Sequence, residues 1–170
     1  TAGSADPCIF TKTVNGKTIL LGVYVDDMII AHADDDVRDA LLADLKKDFL
    51  FTDQGPLQEI LGVQIDQTEE AVTMRHTKFI ESLVSKFMPG ETENRKEYKT
   101  PAAPELPDLV NTACDSTVEP DASTMSEYRS LVGSLLFCAV LTRPDVAYAV
   151  GMLSRALNRP TKRLLDEAKR

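Results

Sequence analysis

The chain has 170 residues, 43% of them hydrophobic and 27% charged, a composition that supports a hydrophobic core and excludes global disorder. Its net charge of −8 argues against a whole-chain electrostatic grip on nucleic acid, because neutralising phosphates takes a basic surface. No apolar run approaches the roughly 20 residues of a membrane-spanning helix, so no membrane partner is expected.

In chain order, Thr1–Pro7 lacks the basic start and apolar middle of a secretion signal. Thr18–Val25 is apolar and rich in β-branched residues, which predicts a buried strand. Asp26 and Asp27 interrupt the apolar run and Met28–Ala31 resumes it, a strand–break–strand pattern that predicts a hairpin with both carboxylates at its tip. Asp34–Asp36 offers N-cap candidates with charge suited to a helix start. Val37, Leu41, Leu45 and Phe49 then recur every four residues and predict an amphipathic helix over 36–49. After the break at Gly55-Pro56, Ile60–Asp66 and Ala71–Arg75 predict a second hairpin turning at Gln67–Glu70. Thr77 is placed to cap a helix whose apolar face carries Phe79, Ile80, Leu83, Val84, Phe87 and Met88, ending at Pro89-Gly90.

Glu91–Ser123 holds four of the nine prolines and predicts a long loop, where limited proteolysis should cut first. Thr124 and Glu127 have the spacing of a capping box, followed by a helix through Tyr128, Leu131, Val132, Leu135, Leu136 and Val140. Thr142–Asp145 stops that helix and starts another, with Pro144 suited to a first turn, carrying Val146, Val150, Leu153 and Leu157. Thr161–Arg170 predicts the first turns of a further helix. Two hairpins with a helix between them, then helices only, indicate an α+β fold.

Adjacent carboxylates repel one another unless a cation relieves them, and Mg²⁺ prefers a couple of carboxylates together with waters and substrate phosphates. Presented at the end of two strands, Asp26 and Asp27 could organise two-metal phosphoryl transfer. A solvated turn accounts for an isolated Asp-Asp equally simply. An acid–base hydrolase using the pair fits poorly, since flanking a glycosidic bond takes carboxyls roughly 5–9.5 Å apart.

Tyr24-Val25-Asp26-Asp27, with apolar residues on both sides, resembles the catalytic signature of reverse transcriptases. Asp6–Phe10 is similar to the stretch upstream of that strand in copia-type retrotransposon polymerases. Phe49–Leu57 resembles the family's run after the palm helix, with Gln54 where an apolar residue is usual, and Leu61–Val63 resembles the core of its primer-grip hairpin. Tyr128–Leu136, Thr142–Val150 and Leu153–Arg155 are similar to its thumb and post-thumb signature.

The resemblance implies an RNA-directed DNA polymerase segment: a partial palm of antiparallel hairpins with a packed helix over 1–75, then a helical thumb over 76–170 with a Pro-rich loop at about 89–123. It implies Mg²⁺ or Mn²⁺ held directly by Asp26 and supported by Asp27. Tyr24 and Val25 fall where the motif approaches primer end and template. Leu61 and Gly62 fall at the primer grip, although a hairpin bulge explains Gly62 as well. The implied partners are an RNA or DNA template with its primer, deoxynucleoside triphosphates, an upstream fingers and palm segment, and a downstream ribonuclease H region. The family's further metal-binding aspartate belongs on an upstream strand that this sequence lacks, so the chain alone is expected to be inactive, and a non-enzymatic remnant or interaction module is the alternative. Cys8, Cys114 and Cys138, odd in number and far apart, speak against a disulfide framework or zinc site. With the family, they imply an intracellular setting, cytoplasmic or within virus-like particles.

Other residues carry blander expectations. His32 and His76 lack a nearby ligand cluster and are expected in surface or packing roles. Ser126, Ser130 and Ser134 have no triad partners. Arg159, Lys162, Arg163, Lys169 and Arg170 are expected on a solvated helix face, with nucleic acid backbone as the alternative. Leu135, Leu136, Phe137 and Val140 suit a core or an interdomain surface.

Overall fold

The computed structural model describes residues 1–90 and 98–170. They form an α+β arrangement of two three-stranded antiparallel sheets and six α-helices, in two compact units, Thr1–Leu57 and Gln58–Arg170. The second hairpin falls in the same compact unit as the helices that follow it.

In the first unit, β1 (Ile9–Val14), β2 (Lys17–Tyr24) and β3 (Asp27–Ala31) pair in sequence order. β1 was not expected. Its turn at Asn15-Gly16 has both residues left-handed, with φ of 52° and 76°, the conformation for which Asn-Gly is the favoured pair. α1 (Asp35–Asp48) starts where the acidic run allows: Asp34 accepts a hydrogen bond from the Val37 amide at 3.1 Å. Asp35 and Asp36 in the first turn and Lys46 and Lys47 in the last complement the helix dipole. Lys17 pairs with Asp34, tying β2 to the cap. Packing here is thin. Val37, Leu41, Leu42 and Leu45 are half-buried, and Ile19 is the unit's one buried apolar side chain.

The second unit opens with β4 (Glu59–Ile60), β5 (Val63–Gln67) and β6 (Val72–Arg75). The continuous strand expected over Ile60–Asp66 is broken at Leu61-Gly62, which turns the chain so that Ile60 pairs with Val63. α2 (Thr77–Phe87) begins at the residue expected to cap it, so the N-cap is His76, one residue earlier, with no side-chain cap bond.

The largest correction lies in the proline-rich stretch. α3 (Leu106–Asp115) carries buried Leu106, Val110 and Ala113, so the segment is not one long loop. Pro107 sits in the first helical turn, where the missing N–H costs nothing. The part of that expectation on residues 91–97 lies outside the described residues.

α4 (Ala122–Leu141) starts at Asp121, not at Thr124. The Asp121 carboxylate accepts from the Thr124 hydroxyl at 2.6 Å and amide at 2.9 Å, and from Ser123. These bonds hold its pKa well below the usual carboxylate range. Thr124 is thereby a buried donor inside the first turn, and the Thr124–Glu127 spacing falls one turn inside the helix instead of at its start. A 3-10 turn at Pro144–Val146 leads into α5 (Ala147–Ser154), which ends before the expected Leu157. α6 (Lys162–Ala168) is capped by the Thr161 hydroxyl on the Leu164 amide at 3.2 Å.

α2 to α6 close around one core that includes Leu106, Val110, Tyr128, Val132, Val150 and Leu164. Tyr128 is fully buried, and its hydroxyl donates to the Leu153 carbonyl at 2.8 Å, so the polar end of this large ring is satisfied. No described helix is long and apolar enough to cross a membrane.

Candidate active site

β2 and β3 end on each other at the Tyr24–Asp27 pair, leaving Val25 and Asp26 as a two-residue loop. The expected hairpin is present, with Asp26 in the loop and Asp27 as the first residue of β3. Both carboxylates are exposed, and neither has a hydrogen-bond or ion-pair partner among the described residues. Tyr24 and Val25 are open to solvent as well, 58% and 82% exposed.

Val25 has a φ of 53°, a left-handed conformation that a β-branched residue adopts only under strain. The three two-residue tips among the described residues make a series. Asn15-Gly16 uses the residues its conformation favours. Leu61-Gly62 has φ of 52° and 78°, with glycine in one place and leucine in the other. Val25-Asp26 has no glycine at all. Strain of this kind clusters at functional sites, where shape is held against local preference.

Leu61 and Gly62 lie in the second unit, at the β4–β5 turn. Leu61 is 45% exposed. A Cβ on Gly62 would meet nothing within 4 Å, so the positive φ alone accounts for glycine there, in a tight turn and not a bulge. The structure thus gathers Tyr24, Val25, Asp26 and Asp27 on one hairpin and puts Leu61 and Gly62 on a different one.

Among the described residues no three His, Cys, Asp or Glu side chains come together to hold a metal. Asp26 and Asp27 offer hard oxygen donors that suit Mg²⁺ or Mn²⁺, but two carboxylates fill only part of an octahedral shell.

Several of the remaining candidates have local partners or packing roles. His32 lies 3.7 Å from Asp35. His76 is buried with its Nδ1 at 2.8 Å from the Thr142 hydroxyl. Ser130 accepts from Lys86 at 3.2 Å, and Ser134 donates to the Ser130 carbonyl. Three members of the C-terminal basic group are not on a solvated face: Arg159 donates to the Ser116 carbonyl, Lys169 pairs with Glu127 at 2.7 Å, and Arg170 lies over the Tyr98 ring at 3.9 Å. Leu135 is packed on the core, whereas Leu136 and Val140 are exposed.

The sequence profile of the family described as reverse transcriptase (RNA-dependent DNA polymerase) matches residues 3–103. The chain belongs to the reverse transcriptase family. The matched stretch contains both sheets, α1 and α2, and so both strained tips. Similarity to retrotransposon proteins carries on through the helices. The chain is 39% identical over 163 residues to the retrovirus-related Pol polyprotein from transposon TNT 1-94 of Nicotiana tabacum, covering 93% of this chain and 12% of that polyprotein. It is 29% identical to the putative transposon Ty5-1 protein of Saccharomyces cerevisiae, covering 95% of this chain and 50% of that protein. It is also 29% identical to the Pol polyprotein from transposon RE1 of Arabidopsis thaliana, over 98% of this chain and 11% of the relative. The chain therefore corresponds to a segment of a retrotransposon reverse transcriptase and spans half or less of these relatives. No solved structure matches it.

Proposed function

We propose that this segment supplies the paired catalytic aspartates of a copia-type polymerase. The observation that carries the reading is the Tyr24–Asp27 hairpin: two unpartnered carboxylates on an exposed tip whose backbone is strained at Val25. Asp26 is the direct ligand for Mg²⁺ or Mn²⁺ and Asp27 its support. When bound, the metal would activate the primer 3′-hydroxyl and neutralise charge that develops on the phosphate. Tyr24 and Val25 lie against primer end and template, and Leu61 and Gly62 contact the primer backbone from the β4–β5 turn.

In this reading the hairpins over 1–75 are palm and the helices over 76–170 are thumb. The substrates are deoxynucleoside triphosphates on an RNA or DNA template with its primer. Upstream fingers and palm, and a downstream ribonuclease H region, complete the enzyme in the cytoplasm or in virus-like particles. Two carboxylates leave the metal shell unfinished, so the 170-residue chain alone is expected not to extend a primer, and to bind Mg²⁺ only weakly.

Primer extension tests this. With Mg²⁺ and excess template–primer, the 170-residue chain should be inactive, whereas a polymerase that joins it to an upstream palm segment should be active. Asp26→Asn, which removes charge with little change of shape, should nearly abolish that activity while leaving the circular dichroism spectrum unchanged. Extension by the 170-residue chain that is lost on Asp26→Asn would overturn the incomplete-site argument. Full activity of Asp26→Asn in the joined enzyme would overturn the metal role, and inactivity of both chains would favour a non-enzymatic remnant.

A further inference from the structure

We infer that His76 is a positioning residue that fixes the Leu61–Gly62 turn to the helices of the second unit. The inference rests on the reading of that turn as a nucleic-acid contact. His76 follows the last residue of β6 and precedes the first of α2, between exposed Arg75 and exposed Thr77, yet it is 2% exposed itself. Its Nδ1 lies 2.8 Å from Oγ1 of Thr142, the residue that ends α4. Its ring centroid is 5.0 Å from that of Phe137 on α4 and 5.7 Å from that of Phe79 on α2. Phe79 and Phe137 meet edge-on at 5.4 Å.

Two features show that this histidine is kept for orientation, not for filling space or starting a helix. Its Nε2 is buried with no hydrogen-bond partner among the described residues, an exception that native interiors rarely carry. An apolar ring would fill the same volume without that orphan. Nor does the side chain cap α2. What imidazole adds is direction, because the bond to Thr142 selects one ring orientation and one place on α4.

The register shows what is held. Gln64 pairs with Arg75 and Ile60 pairs with Val63, so β6 runs back toward the Leu61–Gly62 end of the sheet and His76 stands at that end. The strut grips the sheet beside the turn. Lys78 adds a tie from α2 to the same strands, through its amide to Gln64 Oε1 at 3.3 Å and its ammonium to Glu59 at 2.9 Å. That tie is open to solvent and salt, whereas the His76 bond to Thr142 is partly buried.

The test uses His76→Phe, His76→Asn and Thr142→Val in the 170-residue chain, read by amide hydrogen exchange. His76→Phe keeps a ring and loses the bond. Thr142→Val removes its other half, and His76→Asn keeps a polar atom near the Nδ1 position. His76→Phe and Thr142→Val should each speed exchange at Ile60 and Val63–Ile65 by about three- to tenfold, the scale of one hydrogen bond, with α4 amides still protected. The double variant should be no faster than either single one, since both remove one bond, and His76→Asn should restore most of the protection. Unchanged exchange at the turn, or equal acceleration throughout α4, would overturn the strut. In a polymerase carrying this segment, His76→Phe and Thr142→Val should raise KM for template–primer with kcat unchanged. Loosened exchange with an unchanged KM would instead overturn the assignment of the turn to nucleic acid.

Discussion

In Thr1–Leu57 the apolar residues are largely uncovered: Ile19 is buried, while Tyr24, Val25, Phe49 and Leu50 face solvent. The same stretch carries ten aspartates against five lysines and arginines. In Gln58–Arg170 a buried cluster runs from Phe87 to Ala168 across five helices, and Tyr128 at its centre has no exposed surface. Full burial of a large apolar side chain contributes about 1.5–3 kcal/mol, so cooperativity resides in the second unit. The carboxylates reside in the first, on strands that little else covers. The contrast shows a division of labour within 170 residues: one part holds itself together, and the other presents charge.

Truncating a large apolar side chain in each unit, one buried and one exposed, has the most unequal expected outcome. Tyr128→Ala removes the buried ring and its bond to Leu153, and should cost about 3–5 kcal/mol in urea unfolding followed by circular dichroism. Leu50→Ala, at a fully exposed site, should stay within about 0.5 kcal/mol. Comparable losses from the two would show that the first unit has a core of its own.

Next in size is α3. Leu106→Ala should cost about 2–5 kcal/mol, because the side chain is buried against the main cluster. Limited proteolysis should spare Leu106–Asp115 in the native chain and attack it in the variant. Early cleavage inside α3 of the native chain would detach that helix from the core.

A smaller effect concerns pH. Hydrogen bonds from Thr124 and Ser123 depress the Asp121 pKa in the folded state, so the contribution of this cap is complete above the unfolded carboxylate value of about 4 and is lost as pH falls through the lower folded value. The urea midpoint should therefore decline in acid, and Asp121→Asn should flatten that decline. An unaltered acid slope in the variant would place the linkage elsewhere. Lys78→Ala breaks an exposed pair with Glu59 and should cost at most about 1 kcal/mol by the same urea midpoint, less in high salt.

Much of this was legible in the residues. Four-residue spacing located α1, the turn-forming Asp26-Asp27 located the central hairpin, and Thr161 marked the start of α6. The misses have physical reasons. β1 has a weak local pattern although Asn15-Gly16 is a strong hairpin signal, because its strand alternates polar and apolar residues only loosely. α3 hid behind its prolines, yet Leu106, Leu109, Val110 and Ala113 have helical spacing and Pro107 stands where a helix accepts it. The break at Leu61-Gly62 could not be read from leucine, a residue with no preference for φ above zero. At the site, the order of residues identified the family, whereas the orientation of Val25 and the burial of His76 are set by tertiary context that no local pattern encodes.

The left-handed Val25 has a practical consequence for anyone seeking a sturdier version of this chain. A selection that scores thermal resistance alone would find glycine at position 25 early, since glycine takes that conformation without steric penalty and would recover about 1 kcal/mol. The same exchange would strip the branched side chain from beside Asp26. Robustness gained there would be drawn from the exposed tip that carries Asp26 and Asp27, so a library meant to keep the role proposed for that tip should leave position 25 undiversified.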